Sequence, residues 1–404
     1  MFRRLQLLVL AVVLIVAAFS TGEPFLFFLV YVGLLVGGGS YILTRLGLAD
    51  LEAGYAVSQL SGHVGDRLRV TYTLRNTGRI IKPWLEIHNP TTLPGGLPGR
   101  ALSLHGRQER SWLVRTPLVR RGHFRIEPLQ IRTGDPFGFF EASASVGQGI
   151  TLVVYPRIDA LPMWKLPPAN IEGAHAQPER TLQTTPLATT VRPYAPGDSM
   201  NRIHWRTTAK TGEIQVKEFD LEQTADAWIF MDLDAGNEAG HGDDSTTEVA
   251  VRAAASIADK ALGENRAVGL TVSAHRMTIV PADRGARQRL KILQLLAAVE
   301  ADGRTPLQEA LVTGVNRLRR GTTAIVVTSS QDPAFVRPLA TLRTRGIGTV
   351  VVLLDKAQFE PDDDETVAEA QRQRTRAVRH ALSEYEIPTH VVKPHQDLGE
   401  ALAR

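Results

Sequence analysis

Two uncharged apolar runs at the amino terminus constrain this chain more than any other feature. Leu5 to Phe19, LQLLVLAVVLIVAAF, contains one polar residue, Gln6, and Phe25 to Leu43, FLFFLVYVGLLVGGGSYIL, contains no charge. A helix crosses the roughly 30 Å hydrocarbon layer with about 20 apolar residues, so the second run suffices and the first does once Ser20 to Gly22 complete it. Between them Ser20-Thr21-Gly22-Glu23-Pro24 supplies a Gly stop and a Pro start. Arg3 and Arg4 precede the first run, Arg45 follows the second, and the loop carries no Lys or Arg. The positive-inside rule then places both ends in the cytoplasm. The expectation is a two-pass transmembrane hairpin over residues 1–45 in the inner (cytoplasmic) membrane, with a cytoplasmic body. Two other readings exist. Residues 1–22 also have the shape of a cleaved signal peptide, although Ala17-Ala18-Phe19-Ser20 is an indifferent cleavage site. A hairpin buried in a soluble core is the third, and two uncharged runs this close together speak against it.

The body is too long for one core, since 404 residues exceed what a single hydrophobic centre usually organises. It has no cysteine, which excludes disulfides, thiolate nucleophiles and Cys-based zinc sites. The net charge of +4 is mild and the charges are interleaved, so nucleic acid is not an expected partner. Arg67 to Arg75, RLRVTYTLR, alternates Leu68, Val70, Tyr72 and Leu74 with polar residues, the pattern of a half-buried strand. Further strand-like segments at Trp84 to His88, Ser111 to Arg115, His123 to Ile131 and Thr151 to Tyr155 follow at short intervals without helical patterns. They predict an immunoglobulin-like antiparallel β-sandwich over 51–157. Asp135-Pro136-Phe137-Gly138 reads as a turn with an aromatic plug. Residues 158–190 hold scattered prolines and little periodicity, and are expected to be an extended connector over the surface.

From 191 to 404 the pattern alternates strand and helix. Strands are expected at Ala227 to Met231, Ala267 to Ser273, Ala324 to Thr328, Thr349 to Leu354 and near His390. Helices are expected at Thr247 to Gly263, Arg287 to Glu300, Pro306 to Arg319, Ala334 to Arg345 and Asp364 to Glu386. Strands this apolar are buried on both faces, as in an α/β doubly wound parallel sheet.

The block Val191 to Asp220, VRPYAPGDSMNRIHWRTTAKTGEIQVKEFD, carries Arg192, Tyr194, Gly197, Asp198, Arg202, Ile203, Trp205, Ala209 and Lys210 in the pattern R-x-Y-x-x-G-D-x-x-x-R-I-x-W-x-x-x-A-[RK]. It resembles the signature of the bacterial "domain of unknown function 58" family. The upstream segments RRGHFRIEPLQIRTGDPFGFF and VVYP are also similar to that family. One reading of the block makes Arg192, Arg202, His204, Arg206 and Lys210 a partner-docking or anion-binding surface, with Tyr194 and Trp205 as anchors and Asp198 among them. The other makes Ala195 to Asp198 a turn, Asp198 a helix cap or ion-pair partner of Arg202, and Trp205 a core residue beside a packed His204.

The resemblance further implies a von Willebrand factor A-like domain in the carboxy-terminal half, a doubly wound fold that often holds a divalent metal through D-x-S-x-S. Here Asp232-Leu233-Asp234-Ala235-Gly236 keeps the Asp, puts Asp234 for the first Ser and Gly236 for the second. Thr305 matches the second-loop threonine. Thr328-Ser329-Ser330-Gln331 lacks the final carboxylate, and Asp332 comes late. The expectation is a degenerate site, with Asp232, Asp234 and Thr305 as the ligands if magnesium binds. D-x-D after a strand also opens phosphatases of the haloacid dehalogenase type, with Asp232 as nucleophile and Asp234 as acid/base. Those enzymes also need a lysine and a late carboxylate pair, for which Asp362 to Asp364 could pose. An EF-hand starting at Asp232 fails, because position 12 is Asp243. The expected function is therefore a membrane-tethered, non-enzymatic adaptor or scaffold that binds a protein partner. The resemblance implies a MoxR-type AAA+ ATPase as that partner, because such proteins are typically encoded beside one. A divalent-metal hydrolase using Asp232 and Asp234 is the alternative.

Overall fold

The computed structural model describes residues 2–166, 190–195, 198, 200–218, 226–315, 317–360 and 365–403, with the backbone alone at 2–8, 190, 202, 217 and 218. The chain divides into two compact units. One comprises Met1–Ile158 with Leu293–Val299, the other Asp159–Ile292 with Glu300–Arg404.

The first unit opens with helices α1 (Phe2–Thr21) and α2 (Pro24–Leu48). Gly22 ends α1 at φ +69°, its N–H bonding Ala18 O at 3.0 Å, and Pro24 starts α2 where a missing N–H costs nothing. Only α2, among the described residues, is long and apolar enough to cross a membrane; the apolar part of α1 is the shorter Val9–Thr21.

Ten strands follow: β1 (Leu51–Val57), β2 (Ser61–His63), β3 (Arg67–Asn76), β4 (Lys82–His88), β5 (Arg100–Leu104), β6 (Glu109–Pro117), β7 (Gly122–Ile126), β8 (Leu129–Gly134), β9 (Glu141–Val146) and β10 (Ile150–Tyr155). They form sheets ordered β1-β3-β6, β2-β10-β7 and β5-β4-β8-β9. The alternation of β3 is realised in full, with Leu68, Val70, Tyr72 and Leu74 buried in one core with Leu85, Ile87, Leu129 and Ile131. The expected single strand His123 to Ile131 is two strands in different sheets. Pro128 has no N–H to donate, and Glu127 is turned away to bond Pro90 O through its N–H at 2.8 Å and Asn89 Nδ2 through its carbonyl at 2.6 Å. Nor is Phe137 a plug: it is 57% exposed.

The last turns of α2 are buried against β4, β8 and β9. A Cβ on Gly47 would lie 2.7 Å from the Thr133 side chain, so only glycine permits this approach. Lys82, 1% exposed, donates Nζ to Leu46 O, and burial pushes its ammonium below its ordinary pKa. That contact satisfies a carbonyl in the helix's final turn.

The second unit begins with residues 159–166, which are not a surface connector. Leu161, Trp164 and Leu166 are buried, and the Asp159 carboxylate pairs with Arg252 at 2.8 Å. Most of the expected connector, 167–189, lies outside the described residues. Next come β11 (Thr190–Pro193), α3 (Trp205–Thr211) and β12 (Gln215–Glu218), a small hairpin module. The rest is β13 (Asp226–Asp232), α4 (Thr246–Gly263), β14 (Val268–Ser273), β15 (Met277–Asp283), α5 (Gly285–Ala298), α6 (Leu307–Val315), β16 (Thr322–Thr328), α7 (Val336–Thr344), β17 (Gly348–Leu354), α8 (Lys356–Phe359), α9 (Glu365–Glu384), β18 (Thr389–Val392) and α10 (Leu398–Ala403).

Six of these strands form one sheet in the order β15-β14-β13-β16-β17-β18, parallel except for β15. Trp228, Phe230, Val326 and Leu353 pack with α6, α7 and α9 on one face, while α4 lies on β13, β14 and β16. The antiparallel edge β15 was not expected; its residues are largely exposed and lack the apolar run that marks the central strands.

Candidate functional site

Asp232 ends β13 at the centre of the sheet, at the carboxyl edge where ligands of open α/β sheets gather. It is 3% exposed. Its Oδ2 accepts Thr328 Oγ1 at 2.7 Å and Asn237 Nδ2 at 3.2 Å, and its Oδ1 accepts the Asp234 N–H at 3.2 Å. Burial raises its pKa above the ordinary carboxylate range. The bonds from Thr328, Asp234 N–H and Asn237 oppose that shift, and the Asp234 charge adds to it.

Asp234 turns its Oδ1 to Gly236 N–H at 2.9 Å, capping a short 3-10 turn at 235–237. The loop holding Thr305 is brought alongside by a backbone bridge between Asp234 and Gly303. Gly303 N–H bonds Leu233 O at 2.9 Å, and Ala235 N–H bonds Gly303 O at 3.0 Å. Glycine is required there, because a Cβ would sit 2.7 Å from Leu233 O and 2.9 Å from Ser273 O. The third expected ligand is thus placed at the same sheet edge as the two carboxylates, where Ser273 Oγ reaches Thr305 O at 3.5 Å. Asp332 caps its own turn through Ala334 N–H at 3.0 Å.

Sequence reasoning placed Thr328 and Ser329 in the third loop but not their bonds, and it missed Asn237 and Lys356. Thr328 is the principal partner of Asp232. Ser329 Oγ donates to Asn237 O at 2.9 Å. Lys356, first residue of α8, donates Nζ to Gly236 O at 2.6 Å, bringing an ammonium to the rim of the Asp234 loop. A lysine near a D-x-D loop is invisible in the sequence, because 120 residues separate it from Gly236. The acidic run 361–364 lies outside the described residues. Both oxygens of Asp232 and one of Asp234 are engaged by the protein's own donors, and Gly236 offers no side chain. A magnesium ion here would have to share or displace these donors, with water completing its six positions, whereas the hydrogen bonds already hold the Asp232 carboxylate in place without one.

The signature module is a second candidate. Arg192 and Asp198 form a two-pronged pair, Nη1 to Oδ2 and Nη2 to Oδ1 both at 2.8 Å, and Asp198 also accepts Ala195 N–H at 2.9 Å. Asp198 is thereby tied to Ala195 and to Arg192, its own N–H bonding Ala195 O at 3.1 Å; the expected partner Arg202 has its side chain outside the described atoms. His204 caps α3, its Nδ1 taking Thr207 N–H at 3.2 Å. Ile203 and Val216 bridge and are buried. Trp205, however, is 69% exposed and is not a core residue. Arg206, Ala209 and Lys210 are exposed with it, one helical turn apart, and Tyr194 and Met200 are exposed nearby in sequence.

Comparison with known proteins gives a family match over part of the chain and no activity. A relative in Bacillus subtilis (strain 168), the uncharacterized protein YeaD, is 26% identical over 294 residues, covering 70% of this chain and 69% of that protein. The uncharacterized protein Rv1480 of Mycobacterium tuberculosis (strain ATCC 25618 / H37Rv) is 28% identical over 177 residues, 43% of this chain; the match spans 56% of the relative's length. Among solved structures, the CARDB domain of the PF1109 protein from Pyrococcus furiosus aligns with 26% of this chain and 92% of its own at a TM-score of 0.20 and 15% identity. Residues 190–381, which include the signature module and the Asp232 edge of the sheet, match the family described as "Protein of unknown function DUF58".

Proposed function

We propose that the protein is a membrane-tethered, non-enzymatic adaptor whose carboxy-terminal unit docks a protein partner through the α3 face. One observation carries this. Trp205, Ala209 and Lys210, three of the residues on which the family resemblance rests, are all exposed on α3, Trp205 and Ala209 one turn apart on one face and Lys210 on the flank beside it, where a purely structural signature would be buried. Exposed Trp beside Arg and Lys is the composition of an interface hot spot. A MoxR-type AAA+ ATPase is the proposed partner, on the strength of the resemblance.

The strand order with its antiparallel edge supports a von Willebrand factor A-like reading of the sheet, and the three-sheet unit supports a sandwich reading. The Asp232 cluster is read as a hydrogen-bonded hub in place of a metal site, with no magnesium required. Two-pass anchoring with a cytoplasmic body in the inner membrane follows from the charge placement around the hairpin.

The test is co-purification of a MoxR-type ATPase with the detergent-solubilised full chain. Wild type and Asp232→Ala should retain it equally with or without chelator, and Trp205→Ala should lose it. Retention by Trp205→Ala would refute the assigned face. Lys356 favours a second reading, a phosphatase using Asp232 and Asp234. Phosphoester turnover abolished by both Asp232→Asn and Lys356→Met would replace the adaptor reading.

A further inference from the structure

Around the carboxyl end of α2, the β-rich unit exposes apolar side chains where a water-facing end would carry polar ones. Ile80 is 47% exposed, Ile81 46%, Trp84 42% and Phe137 57%. These residues gather at one end because their loops are tied to that helix. Thr77 N–H bonds Asp50 O at 2.9 Å, Arg107 N–H bonds Gly78 O at 2.9 Å, and Lys82 reaches Leu46 O. The segment Asp135-Pro136-Phe137-Gly138-Phe139-Phe140 is held by Asp135, 8% exposed, which accepts Phe137 N–H at 2.9 Å, Phe140 N–H at 2.6 Å and the Ser40 hydroxyl of α2.

Phe140 meets Tyr41 of α2 edge to face at 5.7 Å, and Phe137 stacks on Phe139 at 5.6 Å. Phe139 and Phe140 also line an apolar groove of about 610 Å³ with Leu10 and Leu14 of α1 and Val30 and Gly33 of α2. The loop is therefore continuous with the apolar surface of the helices themselves.

Helix geometry sets the level at which this happens. From Pro24 to Tyr41, α2 rises about 27 Å at ~1.5 Å per residue, close to the thickness of a hydrocarbon layer. Tyr41 then falls at the boundary, and Arg45, whose guanidinium lies 5.8 Å over the Tyr41 ring, falls just beyond it among headgroups. Phe140, in contact with Tyr41, lies at the same boundary. Arg79 and Arg107 are exposed on the adjoining loops.

We propose that this end of the unit is a bilayer-interface surface. Phe137, Phe139, Ile80 and Ile81 enter the interfacial layer, and Arg79 and Arg107 meet lipid phosphates. The β-rich unit then sits on the membrane instead of hanging from it. The inference rests on α2 being a span, and the experiment separates the two.

The chain has no cysteine, so single nitroxide labels need no background mutations. Phe137→Cys, Ile80→Cys, Leu34→Cys and Thr71→Cys are made in the full chain, labelled, and reconstituted into phosphatidylethanolamine–phosphatidylglycerol bilayers. The ratio of collisions with oxygen to collisions with a nickel chelate reads depth. Leu34 lies mid-span, and Thr71, on the exposed face of β3 several residues from the Asn76 end that adjoins α2, is the aqueous reference. The ratios at 137 and 80 are expected to exceed that at 71 several-fold and to lie below that at 34. Ratios at 137 and 80 equal to that at 71, with 34 at bilayer depth, would overturn the interface surface alone. An aqueous ratio at 34 would overturn the anchor and this inference with it.

Discussion

Thr328→Val tests whether the Asp232 edge is a hydrogen-bonded hub. Valine keeps the shape of a fully buried threonine and deletes the 2.7 Å bond to Asp232 Oδ2, leaving that oxygen only the longer contact from Asn237, and it also deletes the 2.9 Å bond that Thr328 Oγ1 accepts from Ser330 N–H, a loss that does not depend on pH. Water does not replace the lost donor, because Asp232 is 3% exposed. A hydrogen bond to a buried charged group is worth about 1.5–3 kcal/mol, so a loss of about 2 kcal/mol is expected. For a unit of this size that lowers the melting point by about 4–8 °C.

The pH dependence follows from the direction of the Asp232 shift. Its folded pKa is raised, so its contribution to stability is fully present below the unfolded value of about 4 and is lost as pH rises through the folded value. The Thr328 bond holds that folded value down; removing it raises the value further and deepens the loss at neutral pH. The penalty of Thr328→Val should therefore be larger at pH 7 than below pH ~4, and smaller in an Asp232→Asn background. Hydrogen exchange of the β13 and β16 amides, read by mass spectrometry across that range, measures it locally. A penalty under about 0.5 kcal/mol, or one independent of pH and of Asp232, would refute the hub.

Trp205→Ala, at a 69% exposed position, should alter thermal stability by less than about 0.5 kcal/mol while abolishing partner recovery, and a large drop in melting point would show the side chain to be structural. Gly303→Ala drives a methyl against the Leu233 and Ser273 carbonyls, and should raise amide exchange in the 233–237 and 303–305 loops with a stability loss of about 1–3 kcal/mol. Tyr72, buried and bonded to Asn89 Oδ1 at 3.2 Å, has its pKa pushed up to about 12 by burial and by Tyr55 beyond it. Its ultraviolet ionisation step should appear near that pH, with the associated stability present below pH ~10 and lost as pH rises through 12. Ionisation of every tyrosine by pH 10.5 would contradict its environment.

Much of the fold was legible because the strong signals are local. The alternation in β3 and the apolar runs of β13, β16 and β17 each encode their burial in seven to ten consecutive residues. What escaped was non-local. The break at Pro128 was masked by apolar residues on both sides of it, and β15 could be placed only by its pairing with β14. In the candidate site, D-x-D was readable from spacing and Thr305 from the family resemblance. Thr328 was placed in the third loop without its bond to Asp232, and Lys356 was not readable, since it reaches the Asp234 loop from the start of α8, 120 residues away. Trp205 stayed open for another reason: amino-acid type predicts burial only on average, so the sequence carried a core reading beside the anchor one, and its 69% exposure removes the core reading.

The buried last turns of α2 bear on how the unit meets anything else. Ser40, Thr44 and Gly47 are enclosed, and Lys82 clasps the helix end, so helix and sheets turn as one piece with no swivel between them. A body on a slack tether samples every orientation, and each encounter pays for choosing one. A body keyed to its helix has already surrendered that freedom during folding. Under the proposed anchoring, the search for a surface at a fixed height and angle above the bilayer becomes a lateral one.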